Sequence, residues 1–316
     1  SMSKTAFIYP GQGAQKAGMG ADFYENSEIA RYIFDQAGEE LDLDMKELCF
    51  EENDRLDLTE YTQAAMVTTC LAMTRVAESK GLKADITAGL SLGEYPAIAA
   101  AGGMNDMDAI RLVRKRGILM QNTVPAGEGA MCAVISMAAE EIEKVIEPIA
   151  DVSVANYNCP GQIVITGKTD AVEEAAAKLK EAGARRTIML NVSGPFHSQM
   201  LVPAGEKLAE ELEHTRFHEL RIPYVTNVTA EKVTDIRETP GLLTTQISSP
   251  VRWMQSMERM IADGVDTFVE IGPGKTLEGF LRKIDRSVKV FHISQWEDVD
   301  KVCEKLADGG NRMEES

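Results

Sequence analysis

Apolar and polar positions along the chain change period several times, and each change predicts an element. Residues 5–9, Thr-Ala-Phe-Ile-Tyr, form a short β-prone run that predicts a strand, and residues 86–90 predict a second. Helical periodicity covers 22–37, 63–80, 92–101 and 108–122. In the last of these, Leu112, Val113, Leu119 and Met120 share one stripe at three-and-four spacing. The acidic stretch 39–57 predicts surface helix and loop. Beyond Pro125-Ala126-Gly127-Glu128-Gly129 the pattern becomes compact, with strands at 131–137, 152–158, 162–166 and 186–192 and helices at 138–149 and 170–182. That βαββαβ order is the ferredoxin-like unit, and Ser193-Gly194-Pro195 marks the return from it. After a helix ending near 213, strands are expected at 222–227, 267–271 and 288–293, and helices at 240–247, 251–262, 277–284 and 298–307. The expectation is an α/β protein whose large subdomain, residues 3–126 and 194–307, carries an inserted ferredoxin-like small subdomain, 127–193. Residues 308–316 are expected to be a disordered tail.

Composition narrows the setting. With 44% hydrophobic and 26% charged residues among 316, the chain reads as an ordinary globular protein. No run approaches the roughly 18 to 20 apolar residues that span a bilayer, and no charged-then-apolar export signal precedes the first strand. Cys49, Cys70, Cys132, Cys159 and Cys303 lack paired spacing, so free thiols in a reducing cytoplasm are expected. A net charge of −17 argues against nucleic acid as a partner, and no membrane partner is expected. His214 and His218 stand one helical turn apart but have no third ligand in view, so no metal site is expected.

The chemistry gathers at a few motifs. Gly89-Leu90-Ser91-Leu92-Gly93 follows a strand and precedes a helix, the setting of a G-x-S-x-G nucleophile elbow in an α/β-hydrolase-like sheet. A glycine-rich turn with a serine N-cap would look the same. Gly11-Gln12-Gly13 after the first strand fails the dinucleotide pattern but could lend a backbone N–H to an oxyanion hole, together with that of Leu92. Gly272-Pro273-Gly274-Lys275-Thr276 fails the phosphate-loop pattern, because Val269 stands where a glycine is required. His197, between a glycine-proline turn and a helix start, is either a base for Ser91 or a packing residue. Arg116 falls on the apolar stripe, so its guanidinium needs a carboxylate, from the protein or from a ligand.

These stretches, with residues 156–162, Gly194 to Ser198, Gln246 and Pro250-Val251-Arg252-Trp253, resemble the malonyl-CoA:acyl carrier protein transacylases of bacterial fatty acid synthesis. The same fold serves as acyltransferase domains in polyketide synthases, and the resemblance covers nearly the whole chain. It implies Ser91 as nucleophile and His197 as its base, with Gln12 and Leu92 forming the oxyanion hole. The main-chain carbonyl of Gln246 would orient the imidazole, and Arg116 would bind the malonyl carboxylate. Arg116, Gln246 and Phe196 would together make the substrate site. Leu90 departs from the histidine that the family often has before the nucleophile, whereas Leu92 and Phe196 match its malonyl-type pattern. The resemblance implies malonyl-CoA and acyl carrier protein as partners, no cofactor, and a monomer. A serine thioesterase or esterase, a trans-acting polyketide acyltransferase and a non-catalytic carrier-docking protein are the competing readings.

Overall fold

A computed structural model describes residues 3–315, with residues 308–315 described by backbone alone. Strand β1 (Thr5–Tyr9) leads into helices α1 (Ala21–Asn26), α2 (Glu28–Leu41), α3 (Met45–Phe50) and α4 (Thr59–Ser79). The helix expected at 22–37 is two helices, because Ser27 leaves helical geometry and its side chain caps α2 by accepting from the Ala30 N–H. Within the acidic stretch, α3 buries Met45, Leu48 and Cys49, so it is a core element with an acidic outer face. Helix α4 is buried along most of its length, which removes the polar stripe that would have marked its true start at Thr59.

Strand β2 (Ile86–Gly89) ends at the elbow, where Ser91–Gly93 form a 3₁₀ turn before α5 (Glu94–Ala100). Helix α5 therefore starts two residues later than the pattern at 92 suggested. Pro96 lies in its first turn, where a missing N–H costs nothing. Helix α6 (Asp106–Asn122) packs along α4. The compact unit follows as β3 (Gly129–Ile135), α7 (Ala139–Ile146), β4 (Val152–Cys159), β5 (Gln162–Lys168), α8 (Thr169–Glu181) and β6 (Arg186–Met189). The return begins with a 3₁₀ turn at Gln199–Leu201 and α9 (Val202–Glu213). Then come β7 (Tyr224–Val225), β8 (Lys232–Val233), α10 (Thr239–Gln246), α11 (Trp253–Ala262), β9 (Thr267–Ile271), α12 (Thr276–Ile284), β10 (Lys289–Ile293) and α13 (Trp296–Glu315). The tail expected to be disordered from 308 instead continues α13 through Glu315, with no proline to stop it; Ser316 lies outside the described residues.

Two mixed α/β layers result. The large sheet runs β10-β9-β1-β2-β7-β8, parallel throughout except for β8. Its strand β7 is shorter than the expected 222–227, because Asn227 turns away to make contacts described below. The small sheet is antiparallel in the order β4-β5-β3-β6. One of its faces packs with α7 and α8 in a separate core around Val134, Ile142, Ile163, Ile165 and Leu179. Met131, Ala133, Ala155 and Val164 on the other face join the main core. A bridge straps the two sheets' units together: the Tyr157 N–H donates to the Val251 carbonyl at 2.9 Å, and the Val251 N–H to Ala155 at 2.7 Å. Among the described residues no helix is long and apolar enough to cross a membrane.

Candidate active site

The elbow exists because two positions lack side chains. A Cβ at Gly89 would overlap the Gly93 carbonyl, and one at Gly93 would overlap the Tyr9 carbonyl on β1. Between them Ser91 is held at φ 57, in the left-handed region, which costs a non-glycine residue about 1–3 kcal/mol. Asn227 holds this turn closed. Its Nδ2 donates to the Gly89 carbonyl at 2.8 Å, and its Oδ1 accepts from the Ser91 N–H at 2.8 Å. The same Oδ1 accepts from Gln246 Nε2 at 3.2 Å, while the Asn227 N–H donates to Glu94 Oε1 at 2.7 Å.

Ser91 Oγ lies 2.8 Å from His197 Nε2. His197 Nδ1 lies 3.0 Å from the Gln246 main-chain carbonyl, an acceptor that puts the ring proton on Nδ1 and leaves Nε2 to accept from the serine. His197 is 4% exposed and, at φ 62, also in left-handed backbone. Burial and the nearby Arg116 cation push its pKa down to about 4, against the opposing pull of the Gln246 and Ser249 main-chain hydrogen bonds. The imidazole is therefore neutral and ready to take a proton at neutral pH.

Arg116, on α6, is 0% exposed. Its Nη1 donates to Gln63 Oε1 at 2.8 Å, and its Nη2 to Ser91 Oγ and Gln246 Oε1, both at 3.1 Å. Its Nε has no partner, and among the described residues no carboxylate forms an ion pair with it. Burial lowers its pKa. A buried guanidinium held by neutral oxygens, beside a serine bonded to an imidazole, has the chemistry to accept an anion.

A cavity of about 290 Å³ opens at this point. Gln12, Ser91, Leu92, Arg116, Phe196 and His197 all line it, so the sequence-predicted site residues converge, with Gln246 the exception. Gln246 stands behind the wall, bonded to His197, Arg116 and the Ser91 carbonyl, and so faces those residues and not the cavity. The rejected phosphate-loop motif also arrives here through Thr276, with Leu277 and Phe280. Asn156 and Asn158 of β4 also line the cavity. His214 and His218 lie elsewhere, at and beyond the end of α9, and among the described residues no group of three or more His, Cys, Asp or Glu could hold a metal.

Sequence reasoning missed Gln63, Glu94 and Asn227. Two had a faint signal: Glu94 opens an otherwise uncharged helix, and Gln63 interrupts a run that is buried on every side. Asn227 had none, because its task depends on where β7 stops.

A profile of the acyl transferase domain family matches residues 6–297. The malonyl CoA-acyl carrier protein transacylase of Bacillus subtilis is 44% identical over 310 residues, covering 96% of this chain and 98% of its own. The crystal structure of the Clostridium perfringens malonyl CoA-acyl carrier protein transacylase superposes with a TM-score of 0.94 at 42% identity, covering 99% of this chain and 100% of that one. A malonyl-transacylase solved in complex with its type II polyketide synthase acyl-carrier protein superposes with a TM-score of 0.93 at 36% identity, covering 96% and 100%. With a primed serine, an imidazole oriented by a main-chain carbonyl, and these relatives along its whole length, the chain belongs to the acyl transferase domain family, among its malonyl CoA-acyl carrier protein transacylases.

Proposed function

We propose that the protein moves the malonyl group from malonyl-CoA to the phosphopantetheine thiol of an acyl carrier protein, through a malonyl ester on Ser91. The observation that carries this reading is Arg116, fully buried with no carboxylate partner among the described residues, with Nη2 3.1 Å from the Ser91 oxygen. An acyl group with a free carboxylate satisfies both ends of the site: the carboxylate meets the guanidinium, and the thioester carbon meets the serine.

The steps follow from the geometry. His197 Nε2 takes the Ser91 proton as Oγ attacks the thioester carbonyl. The oxyanion that develops meets the main-chain N–H groups of Gln12 and Leu92. As the tetrahedral species collapses, the carbon–sulfur bond breaks, and CoA leaves as a thiol with the proton from His197. The carrier's pantetheine thiol then gives its proton to His197, its sulfur attacks the ester, and Ser91 leaves with that proton restored. Phe196 and the apolar wall from Leu190, Val192 and Phe280 exclude water, which separates transfer from hydrolysis. The chain divides for this task into an α/β-hydrolase-like large subdomain, 3–126 and 194–307, and an inserted ferredoxin-like small subdomain, 127–193, with the cavity between them. The test is mass spectrometry of Ser91 after mixing with malonyl-CoA, followed by addition of a phosphopantetheine thiol. A malonyl adduct that passes to the thiol supports transfer, and one that is only hydrolysed points to a thioesterase.

The pH dependence is set by His197. Its neutral form is the base, so the rate constant for Ser91 malonylation should hold from neutral pH down to about 4 and then fall about tenfold per pH unit. An ordinary imidazole would place that limb near 6.5. Rapid-quench single-turnover measurements across pH 3.5 to 8 distinguish the two, and a limb above pH 6 contradicts the buried neutral imidazole.

For the carrier, a chain of net charge −17 offers no global attraction to an acidic partner, so docking falls to local basic clusters. Lys178, Lys180, Arg185 and Arg186 are exposed on α8 and beside it, and Arg282, Lys283 and Arg286 are exposed on α12 and just beyond. Reversing the charge of the docking cluster is expected to raise the KM for carrier roughly tenfold while sparing the CoA half-reaction. Unchanged carrier kinetics after reversal of both clusters would exclude this docking mode.

A further inference from the structure

Glu94 is fully buried at the start of α5, three residues after the nucleophile, and the transfer chemistry above does not use it. Its Oε1 accepts from the Asn227 N–H at 2.7 Å, and its Oε2 has no hydrogen-bond partner. Among the described residues no cation pairs with it directly. Between Glu94 and Arg116 stands the Gln246 amide, whose Oε1 accepts from the guanidinium at 3.1 Å. Arg116 from α6, Tyr95 on the same helix and Tyr224 from β7 are the ionisable groups that face Glu94. Both tyrosines are held neutral by burial. Tyr9 of β1 is hydrogen-bonded to Thr74, and Arg75 of α4 is paired with Glu78 and Asp106.

The site thus holds one cation and one internal acid, and the substrate brings a second acid. If Glu94 were ionised when the acyl carboxylate arrived, two negative charges would share one guanidinium in a pocket with little water to screen them. We propose that Glu94 is a specificity-determining carboxyl: protonated, it leaves Arg116 free for the acyl carboxylate, and ionised, it competes for that cation and weakens malonyl binding. Burial raises its pKa to about 8, against the opposing pull of the Asn227 N–H, the neighbouring Gln246 amide and the charge of Arg116. At neutral pH the carboxyl is therefore mostly neutral, and the competing form grows above pH 8. The inference rests on assigning the malonyl carboxylate to Arg116.

The test measures malonyl-Ser91 formation by rapid quench and mass spectrometry, with malonyl-CoA alone and no thiol acceptor, so that acceptor ionisation plays no part. In the wild type, the half-saturating malonyl-CoA concentration is expected to rise roughly tenfold from pH 7 to 9.5, with a nearly constant maximal rate. In Glu94→Gln, which keeps a neutral amide at that place, the rise should disappear. A flat wild-type profile overturns the proposal even if the variant does not fold. So does a rise that persists in Glu94→Gln, or one confined to the maximal rate. Absence of any malonyl-Ser91 would instead refute the assignment of the site, whereas an adduct that forms with pH-independent half-saturation refutes the role of Glu94 alone.

Discussion

Arg116→Ala is expected to lower kcat/KM for malonyl-CoA by roughly 100-fold or more while acetyl-CoA is handled as well as before, or better. Both effects come from one burial. The guanidinium presents a fork of donors to a carboxylate, and charge-assisted bonds of this kind contribute about 1.5–3 kcal/mol each. In the wild type, acetyl-CoA would seal a fully buried cation away from water with only neutral oxygens around it. Removing the guanidinium ends both the attraction and that penalty. Arg116→Lys should recover only part of the malonyl activity, because an ammonium offers a point charge without the fork and cannot reach Gln63, Ser91 and Gln246 together. The measurement is kcat/KM for both thioesters on the wild type and the two variants, with melting temperatures as a check on folding. Equal losses for both substrates would make Arg116 a structural residue.

Ser91→Ala is expected to abolish the malonyl adduct while leaving the fold intact, since among the described residues Oγ hydrogen-bonds only with His197 and Arg116. The elbow itself rests on Gly89, Gly93 and the Asn227 amide, none of which the substitution disturbs. His197→Ala should slow adduct formation by roughly 10²- to 10⁴-fold, or more if serine and imidazole act as one unit. Intact-mass spectrometry with peptide mapping reads both outcomes. Full labelling of Ser91→Ala at another residue would sink the assignment of the nucleophile.

What the sequence disclosed depends on how local each signal is. The elbow and the Gly11-Gln12-Gly13 loop are written in consecutive residues. The βαββαβ unit declares itself by short, regular alternation. Arg116 could be placed because its helix keeps an apolar stripe to measure it against. Helix α4 has no such stripe, since nearly every side of it is covered, so its first turn was invisible. The break at Ser27 depends on one side chain capping α2, a choice that periodicity does not encode. Gln246 was found through its motif, but its side chain points to Arg116 and the elbow, which no pattern of spacing conveys. Asn227 and Glu94 were missed because their partners are brought together only by the sheet order.

The acceptor on His197 Nδ1 is a peptide oxygen, and this constrains how the enzyme can vary. A peptide carbonyl has no titration of its own, so no second acidic ionisation enters through the orienting group. It also survives any side-chain replacement at 246, which makes the ring's tautomer a property of the main-chain path after α10. Drift at that position would leave proton transfer working and register first in the grip on Arg116, through the lost amide oxygen. Without a buried anion behind it, the imidazolium formed during attack is short of stabilisation, so the ring is a weak base that suffices for an activated thioester. The dyad is thereby suited to thiol leaving groups that need little push, and poorly matched to the cleavage of amides.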